Sequence, residues 1–307
     1  MTKPLIFALC FVSACASQFA QKPGWQPSPG HTQTPIWPGQ PPDAQFGPPP
    51  NTETSPEPGA VDNVSRPTMT VYSPSALNTG AAIIVFPGGG YFSLAIDIEG
   101  TEVCDWLTSK GITCVILKYR VPYTGPHWDE KCKCQVNPKA PMALQDAQRT
   151  LGLVRFHAGE YHVDPHRIGV LGFSAGGHLS ADISTHFDKR AYPVQDAADQ
   201  VSCRPDFAVV LYPGHLWMSR RGFALNPDVP VTRRTPPTFL LQAENDPVDS
   251  INNSLVYYIA LKNAGVPVEM HLYAEGKHAF GLRRTKFPIT RWPELVETWL
   301  RTIGMTS

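Results

Sequence analysis

From Thr68 onward the chain alternates short apolar runs with segments whose apolar residues recur every three or four positions. The runs at 81–86, 112–117, 168–173, 207–212, 238–243 and 266–273 are rich in Val, Ile, Leu and aromatic residues. Unbroken runs of this length predict strands covered on both faces, the condition of a parallel sheet. Thr68–Tyr72 predicts one more strand, at an edge. Leu144, Ala147, Leu151 and Val154 repeat at spacings of three and four, so a helix after Pro141 can lay one face on the sheet. Asp146 and Arg149 stand beside that face, where structural pairing is expected rather than catalysis. Strand and helix in alternation predict an α/β fold, a mostly parallel central sheet with helices on both faces. Two stretches lack a clear period, 120–141 and 213–237. Both follow predicted strands and therefore fall at carboxyl ends, where ligands bind in such sheets; they are candidate walls or lids of a pocket.

Ahead of Thr68 the pattern is different. Residues 23–67 hold 13 prolines in 45 positions and almost no periodic apolar spacing. Residues 21–67 therefore predict a linker, with an irregular arm lying on the domain as the alternative. Lys3 followed by the apolar stretch from Leu5 to Val12 is too short to span a bilayer but matches an export signal, here residues 1–20. Val12-Ser13-Ala14-Cys15 resembles a lipobox, which would lipidate Cys15 and anchor the chain to a membrane. Cleavage near Ala14-Cys15-Ala16 would instead release a soluble protein. The folded domain then runs over 68–307, about 240 residues, enough for one large core.

Charge adds mainly exclusions. Lys plus Arg equals Asp plus Glu at 26 each, so no field gathers phosphates, and no nucleic-acid partner is expected. Five cysteines remain beyond the signal: Cys104, Cys114, Cys132, Cys134 and Cys203. An oxidising compartment would pair some and leave at least one free. Cys132-Lys133-Cys134 lacks a second ligand pair at the usual spacing, so a loop staple is expected and no metal site.

The chemistry concentrates where the strand at 168–173 runs into Ser174-Ala175-Gly176-Gly177. Gly172, Ser174 and Gly176 form Gly-x-Ser-x-Gly, a strand-to-helix elbow that presents a nucleophilic serine. A serine hydroxyl needs an adjacent base and a third group to orient that base. His278, in Gly276-Lys277-His278-Ala279-Phe280-Gly281 after the last predicted strand, is the expected base. Asp246, just past the strand ending at Ala243, is the expected orienting acid. Asp249 is its rival, with capping of the following helix as its simpler role, and Glu244 is weaker. Pro87-Gly88-Gly89-Gly90-Tyr91 follows a buried strand, so the amides of Gly89 and Gly90, with that of Ala175, are expected to form an oxyanion hole.

In these motifs, together with Asp146-Ala147-Gln148-Arg149 and Asn245-Asp246-Pro247-Val248, the sequence resembles the α/β-hydrolase esterases grouped as bifunctional acetylxylan and feruloyl esterases, allied to hormone-sensitive-lipase-like enzymes. The likeness runs from about Ala81 to Gly304. It implies the α/β-hydrolase fold, Ser174, Asp246 and His278 as triad, Gly89, Gly90 and Ala175 as oxyanion donors, and no cofactor. Pro87 stands where a histidine often precedes the glycines. The expected substrate is a small-molecule or carbohydrate ester, acetylated xylan above all. Tyr91, Tyr123, Trp128, His215 and Trp217 fall in loops near strand ends and are candidates to line the pocket. A general short-chain carboxylesterase, a peptidase of the prolyl-oligopeptidase kind and a non-catalytic binding module are the rivals; the filled triad positions argue against the last.

Overall fold

The seven strands expected from Thr68 onward are joined by a two-residue strand from the proline-rich segment in one eight-stranded sheet. A computed structural model describes residues 24–121, 127–129, 134–136 and 141–306. The strands are β1 (Thr34–Pro35), β2 (Thr68–Tyr72), β3 (Ala82–Phe86), β4 (Thr113–Lys118), β5 (Ile168–Phe173), β6 (Ala208–Leu211), β7 (Thr238–Ala243) and β8 (Val268–Tyr273). They lie in the order β1-β2-β4-β3-β5-β6-β7-β8. β1 with β2 and β2 with β4 are antiparallel, and every other pairing is parallel. β3 to β7 are buried along their whole length, as their unbroken apolar composition requires. β2 departs from expectation. It is not the edge, because β1, two residues from the proline-rich segment, pairs outside it.

Among the described residues five α-helices cover the sheet: α1 (Glu102–Ser109), α2 (Pro141–Phe156), α3 (Ala175–Ile183), α4 (Asn252–Asn263) and α5 (Trp292–Thr302). Side chains alternate along a strand, so Gly172 and Phe173 mark the two faces of β5. A Cβ on Gly172 would stand 2.6 Å from Ser180 Oγ of α3. Phe173 instead packs edge-on against Trp292 of α5, with ring centroids 5.8 Å apart. α2 packs on α3, and α1 joins α5 through Trp106 and Trp292, 5.1 Å apart, so the helices divide between the two faces. Leu144, Ala147, Leu151 and Val154 of α2 are buried, as their spacing predicts. The Cys104–Cys114 disulfide ties α1 to β4, and Cys203 is free and buried.

The segment from Gly24 to Pro67 lies against the domain as an arm. Trp25, Ile36 and Trp37 are buried there. Trp37 donates from Nε1 to Asp146 Oδ1 at 2.8 Å, Glu53 meets Lys118 at 2.8 Å, and the Pro42 carbonyl accepts from Arg120. Asp146 pairs with Arg120 rather than with Arg149, which reaches Asp196 and Asp199. The expected export signal and Cys15 lie outside the described residues, as do Tyr123 and Cys132.

The chain connection after β3 turns one way, to β4, and the connection after β5 turns the other, to β6. β3 and β5 are neighbours. This reversal opens a crevice at their carboxyl ends, between the glycine loop after Phe86 and the serine turn after Phe173.

Candidate active site

At the end of β5 the backbone turns directly into α3, and Ser174 takes φ 52° and ψ −118°, a conformation that costs a non-glycine residue free energy. Neighbouring strands hold it there. Ser174 N donates to Leu211 O at 3.0 Å, and Gly214 N donates to Ser174 O at 3.3 Å. The turn is also crowded: a Cβ at Gly172 would collide with the carbonyl oxygen of Gly176, and one at Gly176 with that of Phe86. Both glycines of Gly-x-Ser-x-Gly are therefore required by close approach of backbone to backbone.

The hydroxyl so presented meets a histidine. His278 Nε2 stands 3.0 Å from Ser174 Oγ, and His278 Nδ1 stands 2.7 Å from Asp246 Oδ2. Asp246 is itself fixed, because its Oδ1 accepts the amides of Val248 at 2.9 Å and Asp249 at 3.0 Å. Asn245 Oδ1 accepts the amides of Gly276 and Lys277, both at 2.9 Å, and so ties the acid-bearing loop to the histidine-bearing loop. Nδ1–H donating to a carboxylate leaves the Nε2 lone pair facing the serine, the tautomer a general base needs. Burial pulls the His278 pKa down, but the hydrogen bond to Asp246 and the charges of Asp246, Asp249 and Glu99 outweigh it. The net shift is upward from 6.5.

The glycine loop runs beside the serine. A Cβ on Gly88 would lie 3.0 Å from Ser174 Cβ. Gly89, at φ 128°, would push a side chain into the Ser93 carbonyl, so only glycine fits. Among the described residues the amides of Gly89, Gly90 and Ala175 have no protein acceptor. Ala175 opens α3, where amides are left free by helix geometry. Tyr119 Oη, donating to Pro87 O at 2.5 Å, helps to hold this loop, as does a buried carboxylate that the sequence does not mark. Glu99, 2% exposed, accepts from Gly88 N at 2.7 Å and from Tyr212 Oη at 2.9 Å. Gly281 N donates to the same Tyr212 oxygen at 3.3 Å, so one buried carboxylate links the glycine loop to the loop carrying His278. Burial pushes the Glu99 pKa up, with the Tyr212 and Gly88 hydrogen bonds opposing. No motif marks it. The only sequence signal is a carboxylate set in Ile96-Asp97-Ile98-Glu99-Gly100 directly after the glycine loop.

Two further readings are corrected. Tyr91 is fully enclosed, its Oη 2.7 Å from His178 Nδ1 and its ring packed beside Tyr119 and His215, so it offers no face to a sugar ring. Asp249 does not cap α4, whose N-cap is Ile251 with no side-chain bond. Its Oδ2 instead lies 3.4 Å from Ser174 Oγ and 3.8 Å from His278 Nε2, and burial pushes its pKa up to about 6. His215 packs on Tyr91 and His178, and burial lowers its pKa to about 4, so it is neutral at pH 7. Trp217 is half-buried, its Nε1 donating to Gly222 O at 2.8 Å. Trp128 sits in a two-stranded ribbon, 127–129 with 134–136. Among the described residues no group of His, Cys, Asp and Glu could hold a metal ion.

The BD-FAE family matches residues 69–203. An acetylxylan esterase of Xylanibacter ruminicola is 30% identical over 225 residues, covering 66% of this chain and 42% of that protein. Endo-1,4-beta-xylanase B of Butyrivibrio fibrisolvens is 26% identical over 222 residues, covering 67% of this chain and 33% of that protein. The chain thus spans less than half the length of these curated relatives. The crystal structure of an acetyl ester-xyloside bifunctional hydrolase from Caldicellulosiruptor lactoaceticus superposes with a TM-score of 0.71 at 33% identity, over 90% of this chain and 97% of that one. Sheet order, serine turn and relatives agree: the chain belongs to the α/β-hydrolase esterases of the BD-FAE group.

Proposed function

We propose that the protein is a serine carboxylic-ester hydrolase that removes acetyl groups from acetylated xylan or similar plant carbohydrate esters. The observation that carries the reaction is the unbroken line Ser174 Oγ, His278 Nε2, His278 Nδ1, Asp246 Oδ2, with separations of 3.0 Å and 2.7 Å. Ser174 Oγ attacks the acyl carbon while His278 Nε2 takes the hydroxyl proton, and the carbonyl oxygen becomes an oxyanion facing the amides of Gly89, Gly90 and Ala175. The intermediate collapses, the carbon–oxygen bond to the alcohol breaks, and the leaving oxygen receives the proton from His278. Water then attacks the acyl-serine by the same route and frees the acid. Asp246 holds the imidazole in the required tautomer and stabilises its cation.

The substrate class rests on the relatives named for acetylxylan and acetyl ester-xyloside chemistry. Action outside the cytoplasm fits it, and the Cys104–Cys114 disulfide supports export because such bonds persist in oxidising compartments. The test compares acetate release from acetylated xylan with hydrolysis of nitrophenyl esters of two to twelve acyl carbons, for the wild type and for Ser174→Ala. Turnover should fall about a thousandfold or more in the variant, and the wild type should favour acetyl esters and release acetate from xylan. Rates that climb with acyl length while xylan stays intact would make it a general carboxylesterase. A folded Ser174→Ala protein with near-normal turnover would overturn the mechanism.

A further inference from the structure

Asp249 is a mostly enclosed carboxylate, its side chain 19% exposed, with no cationic side chain to pair it. Among the described residues its side-chain contacts are Ser174 Oγ at 3.4 Å and His278 Nε2 at 3.8 Å, both long, and no Lys or Arg pairs with it. Its other oxygen lies against the Gly214 backbone, 2.7 Å from where a Cβ would stand. A carboxylate turned to a reactive centre, with one long hydrogen bond and no cation beside it, calls for an explanation.

The structural roles open to it are already filled. The Nδ1 side of His278 belongs to Asp246, the first amides of α4 are met by Ser250, whose Oγ accepts from Asn252 N at 3.3 Å, and the loop itself is held through its backbone, with Asp249 O accepting from Gln242 Nε2 at 2.8 Å. What remains is the space in front of Ser174 Oγ and His278 Nε2, where the leaving oxygen receives its proton. An ionised carboxylate there repels the oxyanion unless a donor faces it. A hydroxyl on the carbon next to the one bearing the ester lies about 3 Å from the ester oxygen, within hydrogen-bond reach of an acceptor so placed.

We propose that Asp249 is a specificity-determining residue that accepts a hydrogen bond from a free hydroxyl vicinal to the scissile ester. Esters of vicinal diols, the arrangement in a partly acetylated sugar, are then turned over in preference to esters of simple alcohols. This rests on the ester-hydrolase reading of the site but not on xylan as the substrate.

The test uses 2-hydroxyethyl acetate and 2-methoxyethyl acetate, which differ in the one donor, with wild type, Asp249→Asn and Asp249→Ala. Each protein is first titrated with a fluorophosphonate so that rates refer to intact sites. The wild type should prefer the hydroxy ester by about ten- to hundredfold in kcat/KM, the gain expected of a hydrogen bond to a charged acceptor. The preference should vanish in Asp249→Ala and be partly kept in Asp249→Asn, whose amide oxygen still accepts. A wild type that hydrolyses both esters equally overturns the inference and leaves the esterase reading standing. So does an Asp249→Ala protein in which both rates fall by the same factor, or one in which the only preference lost is for a cationic ester such as acetylcholine. A wild type inert to every ester overturns both readings.

Discussion

At the residue scale, the site is governed by how many carboxylates surround one imidazole. Asp246 faces Nδ1 of His278, Asp249 faces Nε2, and Glu99 acts from beneath the glycine loop. Burial disfavours the imidazolium, yet the hydrogen bond to Asp246 and the three negative charges favour it more, and the pKa rises above 6.5. The base must be neutral to take the serine proton. Activity should therefore fall as pH drops through a value above 6.5, not at the reference value. Asp249→Asn removes one of the anions, so its acid limb should move to lower pH. Because burial pushes the Asp249 pKa up to about 6, the limb belongs to Asp249 and His278 together. Profiles of kcat/KM against pH for the wild type and Asp249→Asn check this. A wild-type limb at or below 6.5, or a limb that the substitution leaves in place, would show that these charges do not act on His278. The same residue marks a limit of sequence reading. An Asp just before a helix has capping as its ordinary role, and only the folded loop shows the side chain turned to the serine instead.

At the scale of elements, what could be read from the chain was whatever repeats or crowds. Apolar runs placed β3 to β8 to within about two residues at each end, and burial on both faces explains β3 to β7, whereas β8, at the edge of the sheet and carrying Glu269 and His271, is only half-buried. The elbow was legible because Gly172 and Gly176 have no room for a Cβ, so the motif records a packing constraint. Glu99 was not legible, since a single buried carboxylate obeys no period and its partners, Gly88 and Tyr212, lie on separate loops. Tyr91 misled because its loop position suggests exposure, while its hydroxyl is spent on His178. Glu99 yields the prediction at this scale. Glu99→Ala leaves the Gly88 amide and the Tyr212 hydroxyl without their acceptor and loosens the loop that carries the proposed oxyanion donors. Because those donors act on the transition state, kcat should fall about ten- to hundredfold with little change in KM. Glu99→Gln keeps an acceptor and should restore part of the loss. Equal changes in kcat for both variants, or a loss confined to KM, would place Glu99 outside this role.

At the scale of the whole molecule, the proline-rich segment shows how an arm attaches without a periodic apolar face. Its residues cannot form a periodic apolar face, so by pattern they read as a linker. They attach instead through isolated anchors. Trp37 is buried with its Nε1 on Asp146, its ring 4.7 Å from Tyr192 and flanked by the guanidinium groups of Arg120 and Arg149 at 5.9 Å and 5.7 Å. Asp146 in turn pairs with Arg120, both almost fully enclosed, so the arm completes a buried polar network between α2 and the end of β4. Trp37→Ala removes the ring, one donor to Asp146 and two cation–π contacts together. Deleting a buried Trp side chain costs about 3–5 kcal/mol, and the weakened shell around a buried ion pair adds to that cost. The midpoint of denaturant unfolding should therefore drop well below that of the wild type. Turnover per fluorophosphonate-titrated site should stay near the wild-type value, because Trp37 touches none of Ser174, His278 or Asp246. An unchanged midpoint would mean that the segment is a tether resting on the surface, and that the folded unit begins at Thr68.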